Sequence, residues 1–313
     1  MKILVTDNTH PVLVERLTAA GHKCRVWTDC TYDTLLAEVA GYDALVVRSK
    51  IAIDRNFLDH ARHLKCIGRV GAGMETIDVD YAESIGIRCL NSPEGNRDAV
   101  GEHATGLLLA LANKIAAADA EVRQGQWRRE ANRGFEIKGR TVGIIGFGNM
   151  GGAFAQRLQG FECKIVAYDK YKPAGYAPSY VEEVSLEELQ RRAEIVSLHV
   201  PLTDETHYMV DAEFIGRMCQ PFYLINTSRG AVVKTCDIAA AMEQGKVLGA
   251  ALDVIEYEDM TKDGIDIQSQ PADFRYLLSS PRTVLTPHVA GWTVESKYKL
   301  AAVLADKINE TLC

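Results

Sequence analysis

The segment TVGIIGFGNMGG, residues 141–152, constrains the fold of this chain more than any other stretch. Apolar, partly β-branched residues open it, as in a buried parallel strand, and Gly146, Gly148 and Gly151 follow in the order G-x-G-x-x-G. In such a turn the glycines permit a tight bend, close approach of the backbone to a pyrophosphate, and close packing of helix on strand. The segment therefore predicts a strand–turn–helix unit whose helix N-terminus binds the diphosphate of a dinucleotide.

An acidic residue ends the next predicted strand, where KIVAYDK reaches Asp169. A carboxylate at this place accepts hydrogen bonds from ribose hydroxyls and repels a 2′-phosphate, so it favours NAD over its phosphorylated form. Lys170 and Lys172 weaken that repulsion without removing it. The alternative of an ordinary glycine-rich turn is disfavoured, because strand, turn, helix and terminal acid occur together. The residues predicted here to bind NAD are Gly146, Gly148, Asn149, Met150, Gly151 and Asp169.

Composition and charge exclude several classes of protein. The formal net charge of −7 gives no overall basic surface for nucleic acid, and no apolar run is long enough to cross a membrane. The N-terminal MKILVTDN lacks the apolar region of a signal peptide, and the eight cysteines show neither C-x-x-C nor zinc spacing. We therefore expect a cytoplasmic protein that binds no metal, no membrane and no nucleic acid.

Predicted strands and helices alternate along the chain, which indicates an α/β fold of two doubly wound parallel-sheet domains separated by a cleft. Residues 98–290 would form a Rossmann NAD-binding domain. Residues 1–97 would form a flavodoxin-like substrate domain, because their first strand has no glycine turn. The closing amphipathic helix, Val294–Leu312, is long enough to cross back to the substrate domain. Residues 291–313 are therefore assigned to the substrate domain as well. The alternative is that this helix caps the nucleotide domain.

Two further expectations concern local structure. One long helix is predicted from Asp98 to about Gln124, and Asp253 is predicted to lie inside a strand over residues 250–255.

Residues able to carry chemistry follow the predicted strands of the second half. Arg229 follows one strand, Glu256 and Glu258 follow another, and His288 follows the last. An arginine fork suits a carboxylate ligand, and a histidine suits transfer of a hydroxyl proton near neutral pH. A carboxylate on the second imidazole nitrogen stabilises the imidazolium ion. The pattern predicts hydride transfer between a nicotinamide and a small acid.

Several blocks of the chain resemble the D-isomer-specific 2-hydroxyacid dehydrogenase family, over nearly the whole length. They are RVGAGMETID, NSPEGN, GRTVGIIGFGNMG, SLHVPLTDET, INTSRGAVV, GAALDVIEYE and TPHVAG. The resemblance implies that Arg229 grips the substrate, that His288 is the acid/base, and that Glu258 rather than Glu256 is its partner. It also implies that the closing helix packs on the substrate domain and that the long helix builds a homodimer. Further cofactor contacts implied by it are His199, Pro201, Thr227 and Asp253, the last near the nicotinamide carboxamide.

The substrate is expected to contact the strand ends of the first half and the domain crossing. The predicted residues are Arg48, Ser49, Lys50, Val70, Gly71, Ala72, Gly73, Asn96 and Arg97. Backbone N–H groups of Gly71–Gly73 suit a carboxylate, and the basic side chains exceed what one carboxylate needs. They therefore favour a second anionic group such as phosphate. The alternative is that these basic residues face water or ion-pair partners.

The RSK and NSPEGN segments resemble phosphoglycerate dehydrogenases in particular, and TPHVAGWT also resembles erythronate-4-phosphate dehydrogenases. The favoured activity is oxidation of 3-phospho-D-glycerate to 3-phosphohydroxypyruvate, a step of serine biosynthesis. The alternative substrates are small 2-keto acids such as glyoxylate, hydroxypyruvate or pyruvate. A hypothesis of another class is an NAD(H)-sensing binding protein, which an intact Arg–Glu–His set disfavours. The sequence departs from the family where Asp259 replaces a frequent proline, and, ending at Cys313, it is expected to lack a C-terminal regulatory domain.

Overall fold

The computed structural model of the 313-residue chain describes residues 1–258 and 264–312. The chain divides into two compact units, Met1–Ala99 with Trp292–Cys313 (unit 1) and Val100–Gly291 (unit 2). The departure noted at Asp259 lies outside the described residues.

The described residues contain twelve strands and twelve α-helices, which alternate except that α6 follows α5 and β8 follows β7. The strands are β1 Lys2–Val5, β2 Lys23–Val26, β3 Ala44–Val47, β4 Cys66–Arg69, β5 Arg88–Asn91, β6 Thr141–Ile145, β7 Lys164–Tyr168, β8 Glu182–Glu183, β9 Ile195–Leu198, β10 Phe222–Asn226, β11 Val247–Leu252 and β12 Thr283–Leu285. The helices are α1 Val12–Ala19, α2 Tyr32–Glu38, α3 Arg55–His60, α4 Val79–Ser84, α5 Arg97–Ala112, α6 Ile115–Arg123, α7 Asn149–Leu158, α8 Leu186–Arg192, α9 Ala212–Arg217, α10 Thr235–Glu243, α11 Ala272–Ser279 and α12 Val294–Leu312.

Unit 1 contains a parallel sheet in the order β2-β1-β3-β4-β5. One face is covered by α1 and by the closing helix α12, whose Leu304 and Ile308 are fully buried. A Cβ built on Gly68 of β4 would lie 3.0 Å from Ile308 Cδ1, so α12 packs directly on the sheet at the place where a side chain is missing. The other face is covered by apolar residues of α2 and α3, including Leu35 and Phe57.

Unit 2 contains a parallel sheet in the order β12-β11-β10-β9-β6-β7-β8. The interior strand β6 is buried along its full length, and an apolar cluster covers each face of the sheet. Two parallel sheets covered on both faces confirm the α/β fold class predicted from the sequence. Because parallel strands end at one edge, the residues after β6, β7, β9, β10, β11 and β12 lie along the same side of the sheet.

The prediction of one continuous helix from Asp98 to about Gln124 is wrong. The helix breaks between α5 and α6 at Lys114, which takes the left-handed conformation with φ +52. The carbonyl of Ala112 accepts a hydrogen bond from Phe135 N at 3.0 Å, from a segment that returns to the end of α5. No glycine or proline marks the break in the sequence, and the end of α5 receives this contact from the returning segment. The sequence also missed α4, α11 and β8, and Asp253 lies directly after β11 rather than inside it.

Candidate active site

The glycine turn after β6 has the geometry that a diphosphate requires. Gly146 has φ +86, and a Cβ there would lie 2.5 Å from His199 O; a Cβ on Gly151 would lie 2.1 Å from Gly146 O. Both positions therefore need glycine. Gly148 is exposed at the start of α7, and a Cβ on it would meet no atom within 4 Å. Asn149 and Met150 open the first turn of α7, where the leading N–H groups of a helix have no partner inside the helix.

Asp169 is tied to the same turn. Its Oδ2 accepts a hydrogen bond from Phe147 N at 2.8 Å, and its Oδ1 accepts one from Tyr171 N at 3.0 Å. Each carboxylate oxygen keeps a second lone pair, because one N–H uses only one of the two. The side chain therefore holds the turn in place and still has the capacity to accept hydrogen bonds from a ribose.

His199 and Thr227 follow neighbouring strands. The His199 imidazole packs against Phe154, its Nε2 lies 2.9 Å from Ser197 Oγ, and burial lowers its pKa to about 3. The ring is thus a neutral interior group, and it is the His199 backbone carbonyl that approaches the glycine turn. Thr227 Oγ1 is buried and has no hydrogen-bond partner among the described residues, so its hydroxyl has the capacity to bond a ligand at this edge of the sheet. Pro201 is exposed.

A buried asparagine shapes the turn that carries Arg229. Asn226 Nδ2 donates to Arg229 O at 2.9 Å, and Asn226 Oδ1 accepts hydrogen bonds from Ser228 N and Ser228 Oγ at 3.0 and 2.6 Å. Asn226 is fully buried, and Arg229 is half-buried with its Nη1 donating to Ser228 O at 2.6 Å. Asn226 was not singled out from the sequence, since only its place at the end of β10 hints at this role.

The two glutamates after β11 have different surroundings. Glu258 Oε2 lies 3.1 Å from His288 Nδ1, and both side chains are partly exposed. Glu256 instead accepts hydrogen bonds from Tyr208 Oη at 2.5 Å and from Thr235 N, at the start of α10, at 2.9 Å. The structure therefore brings Glu258, and not Glu256, to His288. With Nδ1–H donating to the carboxylate, Nε2 of a neutral His288 is left as the acceptor for a substrate proton.

Asp253, which the family resemblance places near the nicotinamide carboxamide, lies directly after β11 and contacts the loop that follows β12. It is 1% exposed, and its carboxylate accepts hydrogen bonds from Thr286 Oγ1 at 2.6 Å and from Val289 N and Ala290 N, both at 2.9 Å. Burial alone would raise the pKa of Asp253, but hydrogen bonds from His103, Thr286 and the two N–H groups outweigh it and lower that pKa. The contacts of this side chain thus serve the loop that carries His288.

Most of the predicted substrate residues of unit 1 lie directly after β3 and β4, and Asn96 and Arg97 lie at the start of α5. The Arg48 guanidinium lies over the Trp292 ring, 5.6 Å from its centroid, while Lys50 Nζ donates to Thr28 O at 2.7 Å. The N–H groups of Gly71–Gly73 have no hydrogen-bond acceptor among the described residues, and the loop is held by Ser92 N on Gly71 O. Of the other predicted residues, Val70 is buried, Ser49 and Arg97 are exposed, and Asn96 Oδ1 is buried without a partner in the described part of the chain.

Trp292 was not predicted as a site residue, although the sequence shows it within TPHVAGWT. It is 68% exposed and provides the ring under Arg48.

Within residues 1–258 and 264–312, no helix is both long enough and apolar enough to cross a lipid bilayer. The same described residues contain no group of three or more His, Cys, Asp or Glu side chains arranged to hold a metal ion.

Comparison with known proteins identifies the family. Residues 105–290 match the family model described as D-isomer specific 2-hydroxyacid dehydrogenase, NAD binding domain. The chain is 37% identical to a hydroxypyruvate reductase of Thermotoga maritima, over 90% of this chain and 88% of that protein. It is 34% identical to a D-3-phosphoglycerate dehydrogenase of Methanocaldococcus jannaschii, covering 100% of this chain but only 57% of that longer protein.

A solved structure agrees with the family model. The D-lactate dehydrogenase of Aquifex aeolicus, complexed with NAD and lactic acid, superposes with a TM-score of 0.84 at 25% identity, over 100% of this chain and 95% of that chain. Fold and sequence together define a dinucleotide-dependent oxidoreductase. The chain belongs to the D-isomer-specific 2-hydroxyacid dehydrogenase family, and its cofactor is NAD.

Proposed function

We propose that the protein oxidises 3-phospho-D-glycerate to 3-phosphohydroxypyruvate, and reduces the keto acid in the reverse direction. The observation that carries the dehydrogenase chemistry is the His288–Glu258 pair, with 3.1 Å between Nδ1 and Oε2. Neutral His288 takes the substrate hydroxyl proton on Nε2, and the Glu258 carboxylate stabilises the resulting imidazolium. Bound NAD supplies the hydride acceptor. Arg229, held by Asn226, orients the substrate carboxylate and polarises the forming carbonyl.

The glycine turn and Asp169 support the assignment of the cofactor site. Gly146 and Gly151 tolerate no Cβ, Gly148 leaves the start of α7 open, and Thr227 Oγ1 is a buried hydroxyl with no partner among the described residues. A diphosphate on the N–H groups of α7 and a ribose on Asp169 use these features together.

Features of unit 1 support a substrate with two anionic groups. The loop Gly71–Gly73 presents three N–H groups without an acceptor in the described part of the chain, which suits a carboxylate. Arg48 and Arg97 add positive charge that suits a phosphate; Lys50 is already bonded to the Thr28 carbonyl and contributes less. We therefore assign selection of the phosphorylated acid chiefly to Arg48 and Arg97.

Hydroxypyruvate is the second candidate substrate. The Thermotoga relative of similar length is a hydroxypyruvate reductase, whereas the Methanocaldococcus phosphoglycerate dehydrogenase is much longer than this chain.

Oxidation of NADH with a panel of 2-keto acids tests the proposal. We expect 3-phosphohydroxypyruvate to give the highest kcat/KM, above hydroxypyruvate, glyoxylate and pyruvate. Turnover of hydroxypyruvate above that of its phosphate ester would support the second candidate. Absence of turnover on every acid, with NADH still bound, would support an NAD(H)-sensing role instead.

Two variants test the residues. His288→Ala is expected to lower kcat by roughly 10²- to 10⁴-fold with NADH affinity nearly intact, as for loss of a general acid/base. The exposed His207→Ala is its control. Arg97→Met should raise KM for 3-phosphohydroxypyruvate about tenfold more than KM for hydroxypyruvate, since a charge-assisted bond to phosphate contributes about 1.5–3 kcal/mol. Arg62→Met, which removes an exposed arginine two residues after α3, is the control. Equal effects of Arg97→Met on both substrates would contradict the phosphate assignment.

A further inference from the structure

The backbone of His288 adopts a conformation that few side chains tolerate. Its φ is +54, in the left-handed region that mainly glycine occupies, so surrounding contacts must hold it there. His288 N donates to Asp253 O at 2.7 Å, and the next two N–H groups, of Val289 and Ala290, donate to the Asp253 carboxylate. The loop of residues 286–290 is therefore wrapped around one buried aspartate.

A third contact closes this arrangement from a different element. Thr286 Oγ1 lies 2.6 Å from Asp253 Oδ1 and 3.0 Å from Nε2 of His103, on α5. A carboxylate with lowered pKa only accepts hydrogen bonds, so the Thr286 hydroxyl donates to Asp253 and accepts from His103. This direction places a proton on His103 Nε2, which also lies 3.4 Å from Asp253 Oδ1. His103 can supply this Nε2–H donor in two forms, as the neutral tautomer protonated on Nε2 or as the imidazolium ion.

We propose that His103 is a positioning residue for the reaction: its Nε2–H orients the Thr286 hydroxyl toward Asp253, and this chain of bonds holds the 286–290 loop so that His288 faces Glu258. The inference rests on the proposed role of His288. His103 itself contacts Thr286 and Asp253 and takes no part in proton transfer. A helix and the last strand of the sheet are thereby joined through one hydroxyl.

Paired variants test the donor and the hydroxyl separately. His103→Met and Thr286→Val each remove one member of the chain with similar side-chain size, and each should lower kcat about 10- to 100-fold, because displacement of a catalytic group by about 1 Å has an effect of this order. The Kd of NADH should stay within about twofold, since no cofactor contact is removed. His103→Gln, which restores an N–H donor, and Thr286→Ser, which restores the hydroxyl, should recover kcat to within about threefold of the wild type.

The double variant His103→Met/Thr286→Val distinguishes a chain from two independent contacts. If His103 acts through Thr286, the double variant is no slower than Thr286→Val alone. Multiplying effects, a wild-type kcat in His103→Met, or failure of His103→Gln to recover activity would overturn the inference.

Hydrogen exchange gives a readout that does not depend on turnover. The amides of Val289 and Ala290 should exchange faster in His103→Met than in His103→Gln, with exchange of the β6 amides unchanged as an internal control. Unchanged exchange at these two amides would also overturn the inference. A wild-type enzyme inactive on every 2-keto acid would instead defeat the proposed function, and the exchange result would still report whether His103 positions the loop.

Discussion

Replacing Gly230 by alanine should separate two segments that carry candidate catalytic residues. Gly230 directly follows Arg229, and a Cβ built on it would lie 1.9 Å from Ile255 O, three residues before Glu258. Ordinary van der Waals contact begins at 3.4 Å, so the two backbone segments must move apart by about 1.5 Å. The atoms nearest to that Cβ are backbone atoms of Ile255 and Glu256, not the end of a flexible side chain. The displacement is therefore transmitted to the backbone of the site.

The size of the effect follows from that displacement. Misplacement of a reacting group by about 1 Å lowers the rate about 100-fold, so Gly230→Ala should lower kcat/KM by 100-fold or more. Overpacking of a well-packed site costs about 1–3 kcal/mol, and each kcal/mol lowers Tm by roughly 2–4 °C in a domain of this size. Steady-state kinetics with NADH and thermal unfolding followed by circular dichroism measure the two effects.

Gly216→Ala is the matched control. Gly216 lies in α9, and a Cβ on it would meet no atom within 4 Å, so alanine should leave kcat/KM unchanged and slightly raise Tm through its better helix propensity. A Gly230→Ala enzyme with kcat/KM within threefold of the wild type would refute the argument from close approach. So would an equal loss of activity in both variants.

Three further predictions concern acid stability, cofactor choice and assembly. Burial lowers the pKa of His199 from 6.5 to about 3, so as the pH falls the unfolded chain binds this proton before the folded chain does. The free energy of unfolding should therefore fall between pH 6.5 and pH 3, by up to about 1.4 kcal/mol per pH unit. Urea unfolding at several pH values should show a flatter dependence for His199→Gln but not for the exposed control His207→Gln. Asp169→Asn should raise the ratio of kcat/KM for NADPH over NADH about tenfold, since a charge repelling the 2′-phosphate is lost; the same ratio in the wild type and the variant would contradict the ribose assignment. The homodimer implied by the family resemblance is expected to bury the exposed Trp127 near α6, so Trp127→Arg should yield a monomer by light scattering. An unchanged mass would place the interface elsewhere.

The sequence predicted most of the fold because buried parallel strands are nearly continuous apolar runs. β6 and β9 are buried at every position and were readily recognised. The two-residue edge strand β8, Glu182–Glu183, has no apolar signal and was missed. The break of the long helix at Lys114 was also missed, because no glycine or proline marks it and the contact from Phe135 at the end of α5 comes from a residue distant in the chain.

In the candidate site, too, residues within local motifs could be predicted, whereas contacts between residues distant in the chain could not. Arg229, Glu258 and His288 were predicted because ligands bind at the ends of parallel strands, and the family motifs favoured Glu258 over Glu256. The contacts of Asp253 and His103 were not predictable, since they depend on how the loop after β12 folds back on the sheet. A positive φ at a histidine likewise leaves no mark in the sequence.

The hydrogen bond between Phe135 N and Ala112 O has a consequence for how this chain tolerates change. Residues 113–134 form an excursion within unit 2 that starts and ends beside this hydrogen bond, with 3.0 Å between its two atoms. Such a segment behaves as an appendage with a narrow attachment, and insertions or deletions within it leave the ends of the seven sheet strands where they are. Natural selection, or an engineer, can therefore redesign the surface of α6 while the hydride-transfer machinery stays unaltered.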